Sequence, residues 1–192
     1  MCIMPTKEWN KICESINTRY KPTIIVSAFP ACGKSYMFNN YNGKPFAMLD
    51  SDSSNFSWIK DENGENTKER DPNFPTNYIK HIKDNIGKVD VIFVSSHDIV
   101  RKALNKNNIN FFMVYPDKSM KDEWIRRFRE RGNDEGFIKF ISDNWDSFID
   151  EIEKEEKCLK EKLSVNHLYI DNKYIASCFD ISMGNLSSNW RN

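Results

Sequence analysis

The chain has no apolar run near the length of about eighteen residues that a membrane span requires, and Met1 to Met4 is too short for a secretory leader. It has no Cys-x-x-Cys pair. Its five cysteines, Cys2, Cys13, Cys32, Cys158 and Cys178, are odd in number and widely scattered, a pattern that indicates neither a zinc site nor a disulfide framework. It also lacks an excess of either charge, with 28 Lys and Arg against 28 Asp and Glu. Sequence-blind binding to long nucleic acid draws on a basic surplus, so extended nucleic acid is not an expected partner, whereas a short or single nucleotide is compatible. Repeats, low-complexity segments and internal linkers are missing as well. Together these absences predict a reduced, cytoplasmic protein that engages no membrane.

What is present points to one globular domain spanning residues 1–192. The length suffices for a sizeable core, and 39% hydrophobic content with thirteen Phe and five Trp is a folded composition. Trp9, Ile12, Cys13, Ile16 and Tyr20 recur at helical spacing and predict an amphipathic helix ahead of the first strand. Strands are expected at Ile24 to Ala28, at "PFAMLDSD" (Pro45 to Asp52), at "VDVIFVSS" (Val89 to Ser96) and at "NFFMVYP" (Asn110 to Pro116). A fifth is expected at His167 to Ile170, with Tyr174 to Ser177 as an extension.

Between the strands lie a polar stretch from Ser53 to Pro75, read as loop, and a helix over "TNYIKHIKDNIG" with Thr76 as its cap and Gly87 beyond its end. A short helix follows His97. "KSMKDEWIRRFRERGN" forms a helix with Trp124, Ile125 and Phe128 on its apolar stripe, Arg127 and Arg131 on one border and Arg129 on the other. Phe137, Ile141, Trp145, Phe148 and Ile152 predict one further long helix ending in a charged tail, "EIEKEEKCLKEKL". Strands alternating with helices imply an α/β fold with a parallel sheet, whose ligands bind beyond the carboxyl ends of the strands.

One of those ends carries a motif. "TIIVSAFPACGKSY" runs from a buried strand into Gly33-Lys34-Ser35, matching G-x-x-x-x-G-K-[ST] except that Ala28 stands for the first glycine. In such a loop the backbone N–H groups wrap phosphates, the Lys reaches β/γ oxygens and the Ser or Thr hydroxyl ligates Mg²⁺. Ala31, Cys32, Gly33, Lys34, Ser35 and Tyr36 are therefore the candidate ATP contacts, Ser35 and Asp52 the candidate Mg²⁺ ligands, and Cys32 an exposed small residue within the loop. Alanine disfavours the positive φ that glycine supplies, which makes Ala28 a departure from the pattern. Asp50/Asp52 and Ser95/Ser96/His97 likewise fall at carboxyl ends of strands, which suggests one shared site.

This element order resembles the small P-loop kinases of the nucleoside monophosphate kinase type. In more detail it resembles a group of phage and prophage-encoded P-loop proteins with segments like "FPACGKS", "DSDSS", "DPNFPTNYI", "VSSH" and "RERGN" as they stand here, over roughly Thr23 to Trp145. The resemblance implies a three-layer P-loop NTPase fold with a central, mostly parallel five-stranded sheet, an acceptor-binding insertion at about 53–86 and an arginine-bearing lid at about 118–133. It implies that Arg70 and Arg101 grip an acceptor phosphate while Arg127 and Arg131 close on the donor phosphates. The implied activity is transfer of the γ-phosphoryl of ATP to a nucleotide.

Planar guanidinium groups suit that work, because phosphoryl transfer depends on positioning and on neutralising charge. The plain alternative for the arginines is a solvated helix face paired with Glu123 and Glu130. Asp50 reads toward the acceptor or as a turn cap, and Asp52 as a metal organiser, as a general base, or as an Asx-turn cap. As a base it would make the protein a kinase of a hydroxyl on a nucleoside or nucleic-acid end. A nucleotide-binding regulator or weak NTPase with no acceptor is the alternative from another class. His97 reads as an acceptor contact or a helix cap, and Phe56, Trp58, Phe74 and Tyr78 as base-stacking groups or as pins for the insertion.

Overall fold

The computed structural model describes residues 23–43, 46–156 and 158–163. The expected helix at Trp9 to Tyr20 and the expected strands at His167 to Ile170 and Tyr174 to Ser177 lie outside these residues. The molecule is α/β. β1 (Ile24–Ala28) is followed by α1 (Lys34–Tyr41), β2 (Met48–Asp50), a short α2 (Ser54–Ser57) and the strands β3 (Trp58–Lys60) and β4 (Asn66–Arg70). Then come α3 (Thr76–Asn85), β5 (Val91–Ser95), α4 (Asp98–Lys106) and β6 (Phe112–Pro116). A 3₁₀ turn (Lys118–Met120) leads into α5 (Lys121–Glu130), α6 (Glu135–Asp143), α7 (Trp145–Glu153) and β7 (Leu159–Leu163).

The main sheet runs β2-β5-β1-β6-β7 with every neighbouring pair parallel. β1, β5 and β6 read as near-continuous apolar runs because covering helices bury them on both faces, and Val91, Ile92, Phe93 and Val94 are wholly buried. The chain leaves β1 for the edge strand β2, returns to β5 beside β1, and only then crosses to β6 on β1's other side. The winding therefore reverses about β1. In open α/β sheets that reversal leaves a crevice at the carboxyl end of the central strand, and the Phe29-to-Gly33 loop leaves β1 there. Trp124 and Trp145, with ring centroids 6.3 Å apart, anchor the core beneath α5 and α7. No helix among the described residues is long and apolar enough to cross a membrane.

Several expectations are corrected. The stretch from Ser53 to Pro75 is not loop throughout. It contains α2 and an antiparallel hairpin, β3–β4, turned by Asp61 to Glu65, with the Asp61 carboxylate accepting from the N–H groups of Asn63 and Glu65 and Gly64 at φ 80°. Thr76 is the first helical residue of α3 rather than its cap, since Pro75 occupies the cap position. The long helix expected over Phe137 to Ile152 is two helices, broken at Asn144, whose φ of −106° and ψ of 9° leave the helical region. Part of the charged tail is not helical: "LKEKL" is β7, an edge strand paired in register with Phe112 to Pro116.

Candidate functional site

The loop is built from both sides. Phe29 N–H donates to the Val114 carbonyl on β6 (2.8 Å), and Cys32 N–H donates back to the Phe29 carbonyl (3.2 Å). From α5, the Trp124 indole N–H donates to the Pro30 carbonyl (2.8 Å), and Arg127 donates to the Ala31 carbonyl (3.3 Å) while pairing with Glu123 at 2.8 Å. Positive φ falls on Ala31 (63°) and Gly33 (97°). Ala28, the departure from the motif, is the buried last residue of β1 and needs no such conformation, so its Cβ costs the loop nothing. Gly33 caps α1, and no acidic residue occupies the first turn of that helix, so its partial positive charge is left for an anion.

Beyond the loop opens a cleft of about 380 Å³. It is lined by Pro30, Ala31, Gly33, Lys34, Ser35 and Tyr36 from the loop and the start of α1, by Asp50, Ser51, Asp52 and Ser53 from the end of β2, by Ser95 and His97 from the end of β5, and by Arg131 from the end of α5. The Lys34 ammonium donates to the Ala28 carbonyl at 2.7 Å. Burial pushes its pKa below the ordinary lysine value; Cys32 and Asp50 oppose that shift and Arg131 adds to it. The Ser35 hydroxyl donates to Asp50 Oδ2 at 3.0 Å. Asp52 turns one oxygen, Oδ1, back to the Ser54 N–H (2.9 Å). The His97 imidazole is held below its ordinary value by desolvation and by the nearby cations Arg70 and Lys34.

The structure thus brings Ala31, Gly33, Lys34, Ser35, Tyr36, Asp50, Asp52, His97 and Arg131 to one space. Cys32 sits differently from the expectation. It is 1% exposed, with its thiol directed at the Val114 carbonyl, because the loop folds it onto β6. Arg127 holds the loop from behind and lies over the Trp124 ring at 4.8 Å. The segment from Lys118 to Asn133 packs Trp124 and Phe128 fully into the core, and Gly132 (φ 75°) ends it where Arg131 meets the cleft. Arg126 and Arg129 face away, in ion pairs with Glu123, Glu130 and Glu135.

Arg101 is 4% exposed, donates to the Ser96 carbonyl and pairs with Glu155 at 3.7 Å, away from the cleft's lining. Arg70 also lies outside the lining. Its guanidinium stacks 3.8 Å over the ring of Trp58, its cross-strand partner in the hairpin. Of the four aromatic candidates, Phe56, Phe74 and Tyr78 pin the insertion, with ring centroids 5.2 and 6.1 Å from Tyr78.

One residue escaped the sequence reading in its actual role. The buried Tyr78 hydroxyl donates to the Ser51 carbonyl (2.6 Å) and accepts from the Ser95 N–H (3.3 Å), joining the ends of β2 and β5 that carry Asp50, Asp52 and His97. Burial raises its pKa to about 12.

For Mg²⁺, no group of three or more His, Cys, Asp or Glu side chains among the described residues is placed to hold an ion. Mg²⁺ usually keeps several waters and takes one or two carboxylates plus substrate phosphates, so the Ser35–Asp50 pair suits an ion that arrives with a nucleotide better than a resident one. Comparisons with known proteins found no matching family model, no matching curated protein and no matching solved structure, so the chemistry of the cleft rests on its own residues.

Proposed function

We propose that the protein is an ATP- and Mg²⁺-dependent phosphotransferase of the P-loop kinase type. On this reading its fold is a three-layer P-loop NTPase fold around a five-stranded sheet, and it passes the γ-phosphoryl group of ATP to a nucleotide or nucleoside-like acceptor in the cytoplasm. The observation that carries the reading is the convergence of Lys34, Ser35, Asp50 and Arg131, from three separate segments, on one cleft at the sheet's reversal point. Phosphoryl transfer asks a protein mainly to position two groups and offset charge on the moving one, and these residues supply those functions.

Cys32 N–H is spent on the Phe29 carbonyl, so the donor phosphates meet the N–H groups of Gly33, Lys34 and Ser35, with the Lys34 ammonium beside them. Ser35 and Asp50 are the residues that would hold Mg²⁺, which when bound neutralises charge on the β- and γ-phosphates. Arg131, which lines the cleft, adds a guanidinium that offsets charge on the transferring group, while Arg127 acts through the loop it braces. The acceptor lies against the ends of β2 and β5, between Asp52 and His97. Incubation with γ-labelled ATP tests the reading. The wild type transfers label to an acceptor and Lys34→Ala does not; equal transfer by both removes the loop from the mechanism.

A further inference from the structure

The end of β5 delivers His97 to the cleft, and a single residue brackets it from both sides. Arg101, one turn into α4, folds back past the start of that helix and donates to the Ser96 carbonyl. The same peptide carries the His97 N–H at its other edge, and that N–H donates to the Ser95 hydroxyl at 3.4 Å. On the far side of His97, its own carbonyl accepts from the N–H groups of Val100 (2.9 Å) and Arg101 (3.0 Å). His97 occupies the cap position of α4 without a side-chain bond to the helix, so its ring is left to the cleft it lines.

Stability does not account for an arginine at this place. It is 4% exposed, and its charge lies at the end of α4 where the helix's own partial charge is also positive. Its counter-charges stand off, with Glu155 at 3.7 Å from Nε and Asp98 at 3.8 Å from the guanidinium, and Nε makes no hydrogen bond among the described residues. An ion pair of this kind offsets its desolvation poorly, and well-packed apolar side chains in its place are often neutral or stabilising. Glu155 is nonetheless held firmly, by the Asn105 side chain on the next turn of α4 at 2.8 Å. The pair forms a strut from the connection between α7 and β7 to the Ser96–His97 peptide.

We infer that Arg101 is a positioning residue: anchored by Glu155, it fixes the Ser96–His97 peptide and with it the direction from which His97 enters the cleft. It meets no ligand itself, which departs from the phosphate grip that the resemblance to nucleoside monophosphate kinases implies for it. The geometric part stands on the strut alone. Its effect on turnover rests on the kinase reading above, in which the acceptor lies beside His97.

The test compares the full chain with Arg101→Met/Glu155→Gln, which removes both charges, leaves net charge unchanged and keeps an oxygen for Asn105. Nuclear magnetic resonance reads the His97 amide and ring, with His97→Gln identifying the ring signals. Wild type gives one sharp set. Expected in the double variant are broadened or doubled His97 signals, unchanged His81 signals and a Tm equal to or above that of wild type. His97 signals that do not move, whether Tm falls or holds, overturn the inference and make Arg101 a structural residue. Should the double variant fail to fold, Glu155→Gln alone, which frees the guanidinium from its anchor, is judged by the same His97 signals. With γ-labelled ATP and a panel of nucleosides and nucleoside 5′-monophosphates, transfer by the double variant falls roughly a hundredfold, the scale of a misplacement of about 1 Å, while affinity for a non-hydrolysable Mg·ATP analogue stays within about threefold. Undiminished transfer overturns the effect on turnover. No transfer by the wild type removes the kinase reading and leaves the His97 signals to decide this inference.

Discussion

Replacing Tyr78 with Phe removes one oxygen from the interior and leaves the ring in place. That oxygen is the joint between β2 and β5 past the point where their ladder ends: the last backbone bond there runs from Ser51 N–H to the Phe93 carbonyl, and beyond it the Tyr78 hydroxyl bridges the Ser51 carbonyl and the Ser95 N–H. A buried group that loses its partner costs about 1–3 kcal/mol. The short bond to Ser51 carries most of that cost, because the bond from Ser95 is long. For a chain of this size the loss corresponds to a fall in Tm of roughly 2–4 °C per kcal/mol.

Alkaline pH supplies an independent check. The folded-state pKa of Tyr78 is raised from 10.0 to about 12, so as pH climbs past 10 the unfolded chain releases this proton first. Stability is then lost progressively up to about pH 12, by about 3 kcal/mol for a two-unit difference. Chemical denaturation of wild type and Tyr78→Phe at intervals from pH 8 to 12 reads both effects. The variant starts less stable, and the gap closes or reverses as pH rises because the other titrating groups are common to both. A variant of wild-type stability at pH 8, or one whose stability falls in parallel with wild type above pH 10, refutes the bridging role.

Arg131→Ala should lower phosphoryl transfer about a hundredfold with little change in fold, whereas Arg126→Ala, which breaks exposed ion pairs with Glu123 and Glu130, should leave turnover intact; equal effects return both to the solvated helix face. A bulky thiol reagent should modify Cys32 only after denaturation, since the loop packs it onto β6. Rapid labelling of the native protein at Cys32, read by mass spectrometry, contradicts the placement of the loop.

The interior strands were legible because burial on both faces leaves an unbroken apolar run, as in "VIFVS" and "FMVYP". The turn after β1 was legible because Gly33, at φ 97°, takes a conformation that favours glycine. Elements whose stability comes from elsewhere were not. β7 is a lysine- and glutamate-rich strand held by pairing with β6, and charge on an edge strand is how a sheet guards its open side; read alone, it resembles a solvated helix. The β3–β4 hairpin announces itself only through Asn63-Gly64, embedded in polar sequence with no apolar alternation around it. Within the site, residue types were visible and partners were not. Nothing local distinguishes Arg131, at the cleft, from Arg127, which braces the loop four residues earlier. Nothing local says that Asp50 and not Asp52 meets Ser35, or that a hydroxyl from α3 ties the two strand ends together.

The central claim is that Gly33, Lys34 and Ser35 form a nucleotide-phosphate cradle, and calorimetric titration with a non-hydrolysable ATP analogue in Mg²⁺ tests it most directly. Wild type should bind with one-to-one stoichiometry. Lys34→Ala should stay folded, because the side chain bonds only the carbonyl at the end of β1, and should lose about 1.5–3 kcal/mol of binding, equivalent to roughly ten- to a hundredfold or more in affinity. Binding of the analogue with the same affinity by both proteins, or no binding by the wild type, would contradict the account.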